Sequence, residues 1–224
     1  MNESAGPARI DHLLARSEAF EEAILGCFPE AGFVSAVANQ KHELVATACV
    51  LSIEHASVLR GAFADAAPNS GSAILRLQYE ALLRAGWLLY AATPGHIDRL
   101  GRMLSSEAEQ AAKNLPGYAE MVEAVVKKAP HGLSAPIAEF NQYSRNALNS
   151  FVHSGIHPLH RAREGYPAGM AATAVRFSNG LMHLAYRMLA SLSGSPRRME
   201  RVTHLYKDFV DCVPMAKSSG GKDE

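Results

Sequence analysis

At 224 residues, with 48% apolar and 20% charged side chains, the chain has the size and composition of one large globular domain and is too apolar for disorder. Its 22 basic and 22 acidic residues cancel to a formal charge of zero, which argues against a strongly electrostatic nucleic-acid binder. Three separated cysteines, Cys27, Cys49 and Cys212, form no CxxC pair, which excludes a zinc knuckle or a thioredoxin-type motif.

The cysteines read as reduced thiols of a cytoplasmic protein. Residues 1–7 show no basic region followed by an apolar run, and the longest apolar candidate, 44–53, is closed by Glu43 and Glu54. A soluble chain with no membrane partner is therefore expected.

Nearly every segment carries the helical period, and none alternates as a strand would. A first helix is expected over about 7–27, with Ile10, Leu13, Leu14, Phe20, Ile24 and Leu25 on its apolar face, broken by Pro29 and Gly32. A second should run over about 35–66, ended by Pro68-Asn69-Ser70-Gly71. Ser70 or Ser72 is a candidate cap for a third helix through Ala92. After Thr93-Pro94-Gly95 a fourth should cover about 96–114, and after Pro116-Gly117 a shorter one 118–128, whose Lys127 and Lys128 suit a helix C-terminus. Residues 130–136 read as a connector and 137–154 as a helix with Gly155 as its C-cap. Residues 158–167 read as loop, 168–192 as the penultimate helix, and the last helix should start at Ser195-Pro196 and reach about Cys212. The expected architecture is a single all-α bundle of six to eight helices over 1–216, followed by a disordered tail, 217–224.

Two segments carry chemistry-bearing side chains at helical spacing. Arg76, Glu80, Arg84 and Trp87 form a narrow stripe on a helix that is otherwise apolar. One reading is an internal ion pair that fixes helix register. The other is an anion site in which Glu80 orients two arginines, leaving one net positive charge for a phosphate. In the second segment Gln142, Asn146, Asn149 and His153 share a face opposite Ile137, Phe140, Ala147 and Phe151. Amides and an imidazole without Lys or Glu suit a ligand or another polar surface. His157 extends the face if the helix survives Gly155, and His160 follows. His153 is then either satisfied by local partners or a general acid/base.

With no HExxH pattern and no carboxylate between His153 and Glu164, no metal is expected. No phosphate-binding glycine loop or nucleophile elbow is present, and no cofactor is expected. Arg197, Arg198 and Arg201 read as a solvated basic face, with nucleic-acid contact as the alternative. Met182, His183, Tyr186, Met188 and Leu189 read as core and interface.

The strings Leu75-Arg-Leu-Gln-Tyr-Glu-Ala-Leu-Leu-Arg-Ala-Gly-Trp-Leu-Leu-Tyr-Ala-Ala92 and Leu148-Asn-Ser-Phe-Val-His-Ser-Gly-Ile-His157 resemble an uncharacterised family of bacterial all-helical proteins, over roughly 37–192. More distantly, an Arg-Glu helix followed by a polar-His helix resembles HEPN-like domains, many of them ribonucleases of toxin and defence systems. That family's motif is an Arg, a polar residue and a His after a gap of four to six. Here Arg145-Asn146 precedes His153 with a gap of seven, which sets Arg145 about 80° from His153 on a continuous helix. The resemblance implies metal-independent action on RNA or a nucleotide. His153 would be the acid/base, Arg76 and Arg84 would hold phosphate in place of Arg145, Glu80 and Asn149 would orient them, and Asn146 and His157 would complete the site. A homodimer is expected, with RNA or an anionic small molecule as ligand and a protein partner encoded by a neighbouring gene. The alternative is a non-catalytic interaction or sensing protein whose Arg/Glu/His stripes are internal polar networks.

Overall fold

A computed structural model of the protein describes residues 6–214, with the side chains of 6–9 and 143–146 outside that description. The described residues form ten α-helices, a short 3-10 turn and no strand: α1 (Gly6–Leu25), α2 (Gln40–Ala64), α3 (Pro68–Tyr90), α4 (Pro94–Leu100), α5 (Ser106–Ala112), α6 (Tyr118–Lys128), α7 (His131–Val152), α8 (Ile156–Glu164), α9 (Ala168–Leu192), α10 (Pro196–Leu205) and the turn Tyr206–Phe209. The all-α expectation holds, with more and shorter helices than the six to eight expected. The expected tail, 217–224, lies outside the described residues.

α3 is the hub, because it is apolar on almost every side. Leu75, Tyr79, Leu82, Leu83, Trp87 and Leu88 are all buried, and α3 packs on α2, α6, α7, α8 and α9. Each such side chain contributes on the order of 2–3 kcal/mol by leaving water. α2 is the one described helix long and apolar enough to cross a membrane. It sends Val45, Cys49, Ala56, Leu59 and Phe63 into the core and leaves Glu43 and Glu54 exposed. Gly71 lets α2 and α3 approach closely, since a Cβ there would lie 2.8 Å from the Phe63 ring.

Buried polar groups fix the register of these helices. Gln78 donates from Nε2 to the Ser178 carbonyl at 2.8 Å and accepts from Ser178 Oγ at 2.7 Å, while Ser52 Oγ donates to the Gln78 carbonyl at 3.0 Å. Glu21 of α1 pairs with Arg60 of α2 and accepts from Tyr186 Oη of α9 at 2.9 Å. Arg60 also reaches Met182 Sδ at 3.5 Å.

The boundaries of α6 and α9 fall where the sequence places them; others differ for local reasons. α2 starts later than Ser35, because Asn39 is the N-cap and accepts from the His42 N–H at 2.8 Å. The expected helix over 96–114 is two helices. Gly101 closes α4, exposed Met103 and Leu104 give the connecting residues no core to face, and Ser105 caps α5. α7 begins at His131, so the expected connector is its first turns, with Pro136 inside the helix. The expected loop over 158–167 is mostly α8. Pro158 sits in its first turn, where a missing N–H costs no hydrogen bond. The expected long last helix gives way to the 3-10 turn after Leu205.

α2 ends on a left-handed residue that is not glycine. Ala66 has φ 55°, with the Ala67 N–H on the Ala62 carbonyl at 2.7 Å and the Ala66 N–H on the Phe63 carbonyl at 3.4 Å, the paired bonds of a Schellman ending. An alanine Cβ is strained there, so Ala66→Gly should raise unfolding free energy by up to about 1 kcal/mol. The urea midpoint of the variant measures this; an unchanged or lower midpoint contradicts it.

Candidate functional site

The fold gives the members of the first stripe different surroundings. Arg76 is 6% exposed, with its guanidinium 4.0 Å from the centre of the Tyr118 ring and its Nε 2.7 Å from Glu80 Oε1. The ion-pair contact is close but not aligned as a hydrogen bond, and Arg76 Nε and Nη1 are buried N–H groups without an acceptor. Tyr118 Oη donates to Asn141 Oδ1 at 2.5 Å, joining α6 to α7. Arg84 takes another partner, the Trp87 ring at 5.6 Å, and burial pushes its pKa down while Glu80 opposes the shift. A desolvated cation over an aromatic face is worth about 2 kcal/mol. Arg76 is thus enclosed between a ring and a carboxylate, and Glu80, half exposed, turns its other side to solvent.

The second segment lies at the open end of α7. His153 does not continue the helical face: it is the C-cap, exposed, with its N–H on the Asn149 carbonyl at 3.2 Å. Gly155 is not that helix's C-cap. Ser154, at φ 52°, makes the reversal, and Gly155 is the N-cap of α8. Asn149 is exposed. His157 donates its N–H to Ser150 Oγ at 3.1 Å and stacks on Phe151, ring centres 6.1 Å apart at 17°. His160 Nδ1 lies 3.1 Å from Glu164 Oε1, which also accepts from Arg163 Nη2 at 2.6 Å. The side chains of Arg145 and Asn146 lie outside the described residues. Among the described residues no hydrogen bond or ion pair joins His153 to Arg76, Glu80 or Arg84, and no three His, Cys, Asp or Glu side chains cluster as metal ligands.

A cavity of about 710 Å³ lies elsewhere, between α7, α9 and α10. α7 and α9 both pack on α3, and Gly132, Ala135 and Gly180 leave a gap between them. Phe140 and Phe177, edge to face at 5.3 Å, line it together with Leu181 and Leu184. Tyr206, Lys207 and Pro214 close the far side, where Tyr206 Oη donates to the Pro214 carbonyl. That side is anchored by Arg16, which grips Asp211 with Nε at 2.8 Å and Nη2 at 3.0 Å. The volume suits a small-molecule ligand, and the apolar walls carry a few convergent polar groups.

Those polar groups are Glu139, His131, His183, Arg187, His204 and Lys207, none of which the two sequence stripes contain. Pro136 explains the placement of Arg187. It has no N–H for the Gly132 carbonyl four residues earlier, and Arg187 Nη1 takes that acceptor at a long 3.4 Å. Arg187 Nε is buried without an acceptor, and burial lowers the pKa. The usable signal in the sequence was Arg187, one of two arginines in the largely apolar run of α9. His183, read as core, is 4% exposed and does line the cavity. Its Nε2–H donates to the Val202 carbonyl at 2.7 Å, so Nδ1 carries no proton.

Burial lowers the His183 pKa from 6.5 to about 4, against the opposing pull of the Val202 carbonyl. Above about pH 6.5 the imidazole is neutral in both folded and unfolded chains, and the folded state loses nothing. As pH falls below that value the unfolded chain takes the proton first, so stability declines and levels off below about pH 4, a total of roughly 3 kcal/mol. Urea midpoints between pH 7.5 and 4 should show this slope, and His183→Gln should flatten it; an equal slope in the variant counts against His183. For the stripe, Glu80→Ala should cost about 1–2 kcal/mol, between the values for exposed and buried pairs. Thermal unfolding that is unchanged by Glu80→Ala would mean the pair contributes nothing.

No curated protein and no solved structure matches the chain. A family model covers residues 49–215, a span that takes in α3, both stripes and the whole cavity. The chain belongs to that family, described as a family of unknown function (DUF6988).

Proposed function

We propose that the chain is a non-catalytic helical sensing protein that takes a small amphipathic molecule between α7, α9 and α10. The observation that carries this reading is the cavity of about 710 Å³, walled by aromatic and aliphatic side chains and edged by Arg187 and Lys207. The ribonuclease reading needs an arginine and His153 on one phosphate. Arg76 is enclosed by Tyr118 and Glu80, and His153 stands exposed at the end of α7. The Arg-Glu stripe then acts as an internal network that fixes how α3 sits against α6.

Two measurements test this. The neutral dye Nile red should gain fluorescence on the wild-type protein. Ala135→Trp, which places an indole in the cavity, should remove the gain. The purified chain should leave single-stranded and structured RNA intact. Equal dye response in both proteins, or RNA cleavage that disappears in His153→Ala, overturns the proposal.

A further inference from the structure

The cavity has two electrically different ends. At one, Arg187 meets the start of α7 through a single long bond to the Gly132 carbonyl, and its Nε is buried with no acceptor. Gly132 leaves that guanidinium room, since a Cβ there would come within 3.2 Å of Arg187 Nη2. At the other end Glu139 lies toward Tyr206, about two helical turns along α7. Between them run Phe140, Phe177 and Leu181. A guanidinium carries a planar fork of N–H donors that matches the two oxygens of a carboxylate. One half-buried guanidinium balances one negative charge, and a neutral His183 adds none to that end.

Resting on the sensing reading, we propose that the ligand is an apolar monocarboxylate, with its head on Arg187 and its body along Phe140, Phe177 and Leu181. The carboxylate accepts a charge-assisted bond from the guanidinium, whose Nη1 is held on the Gly132 carbonyl only at 3.4 Å. The apolar body fills the space beside Ala135. At the far end Glu139 and Lys207 carry opposite charges, so the Arg187 end is the one with an unbalanced cation for the head.

Decanoate and decanol, equal in chain length and different in charge, separate the head-group assignment from the cavity itself. Titration calorimetry on the wild-type protein should give decanoate the tighter binding by about tenfold or more, as a charge-assisted pair predicts. Arg187→Gln should bring decanoate down to the level of decanol and leave decanol unchanged. Arg187→Lys should keep part of the preference, and Ala135→Trp should abolish both. Should Arg187→Gln fail to fold, the two ligands on the wild-type protein and on Arg187→Lys still decide. Equal binding of the two by the wild-type protein, or a preference that survives in Arg187→Gln, overturns the carboxylate while the cavity reading stands. If neither molecule binds, both fall.

Discussion

Gln78 sets the terms for the rest of the structure. It is a fully buried amide in the middle of the central helix, and leaving it unpaired would cost about 1–3 kcal/mol. Its side chain exchanges both of its hydrogen bonds with Ser178, and its own carbonyl is covered by Ser52. That arrangement permits one register of α3 against α9 and one against α2. With α3 held in that register, Leu75, Tyr79, Leu82 and Trp87 face their neighbours, and Arg76 arrives under Tyr118. The second polar tie, Glu21 with Arg60 and Tyr186, makes the same demand of α1. Apolar burial drives the bundle together; these paired groups decide which way it closes.

The same geometry places charge in two separate compartments. On the α6 side of α3 the arginine is answered within the protein, by a ring and a carboxylate. On the α9 side Arg187 is answered only in part. The difference lies in what each helix pair leaves between its members. α3 and α6 meet closely enough for Tyr118 to cover Arg76, whereas the space between α7 and α9 is left unfilled where small side chains line it. Arg76 is covered by a ring and a carboxylate, whereas Arg187 borders an apolar gap, and that gap is what makes it a binding feature.

The sequence made α3 and α9 legible because their apolar periods are long, and it made α6 legible because Pro116-Gly117 and the terminal lysines bracket it. It misled where proline was taken as a breaker. Pro136 and Pro158 both stand in early helical turns, one displacing a hydrogen bond that a distant side chain takes over, the other displacing none. The arginine stripe falls on one helix, α3, and spacing alone could not say that Tyr118 would lie over Arg76. The cavity was invisible for a different reason. It is made of what is missing, at Gly132, Ala135 and Gly180, on helices far apart in the chain. A polar residue in a largely apolar helix carries weight only when the space in front of it is known.

Pro136 has one more consequence, for how α7 comes apart. With the Gly132 carbonyl freed from the helical ladder, the first turn rests on the Leu133 and Ser134 N–H groups, both on the Pro130 carbonyl at 2.9 Å, and on the loose grip of Arg187. The remainder of α7 is pinned by Ile137 and Phe140 in the core and by Tyr79 Oη on the Ile137 carbonyl at 3.1 Å. The helical ladder of α7 thus has one rung missing near its start, while Leu133 still ties the first turn to the core. That first turn, His131 and Gly132 included, is also part of the cavity lining, so one missing amide proton in the helical ladder shapes the wall beside Arg187.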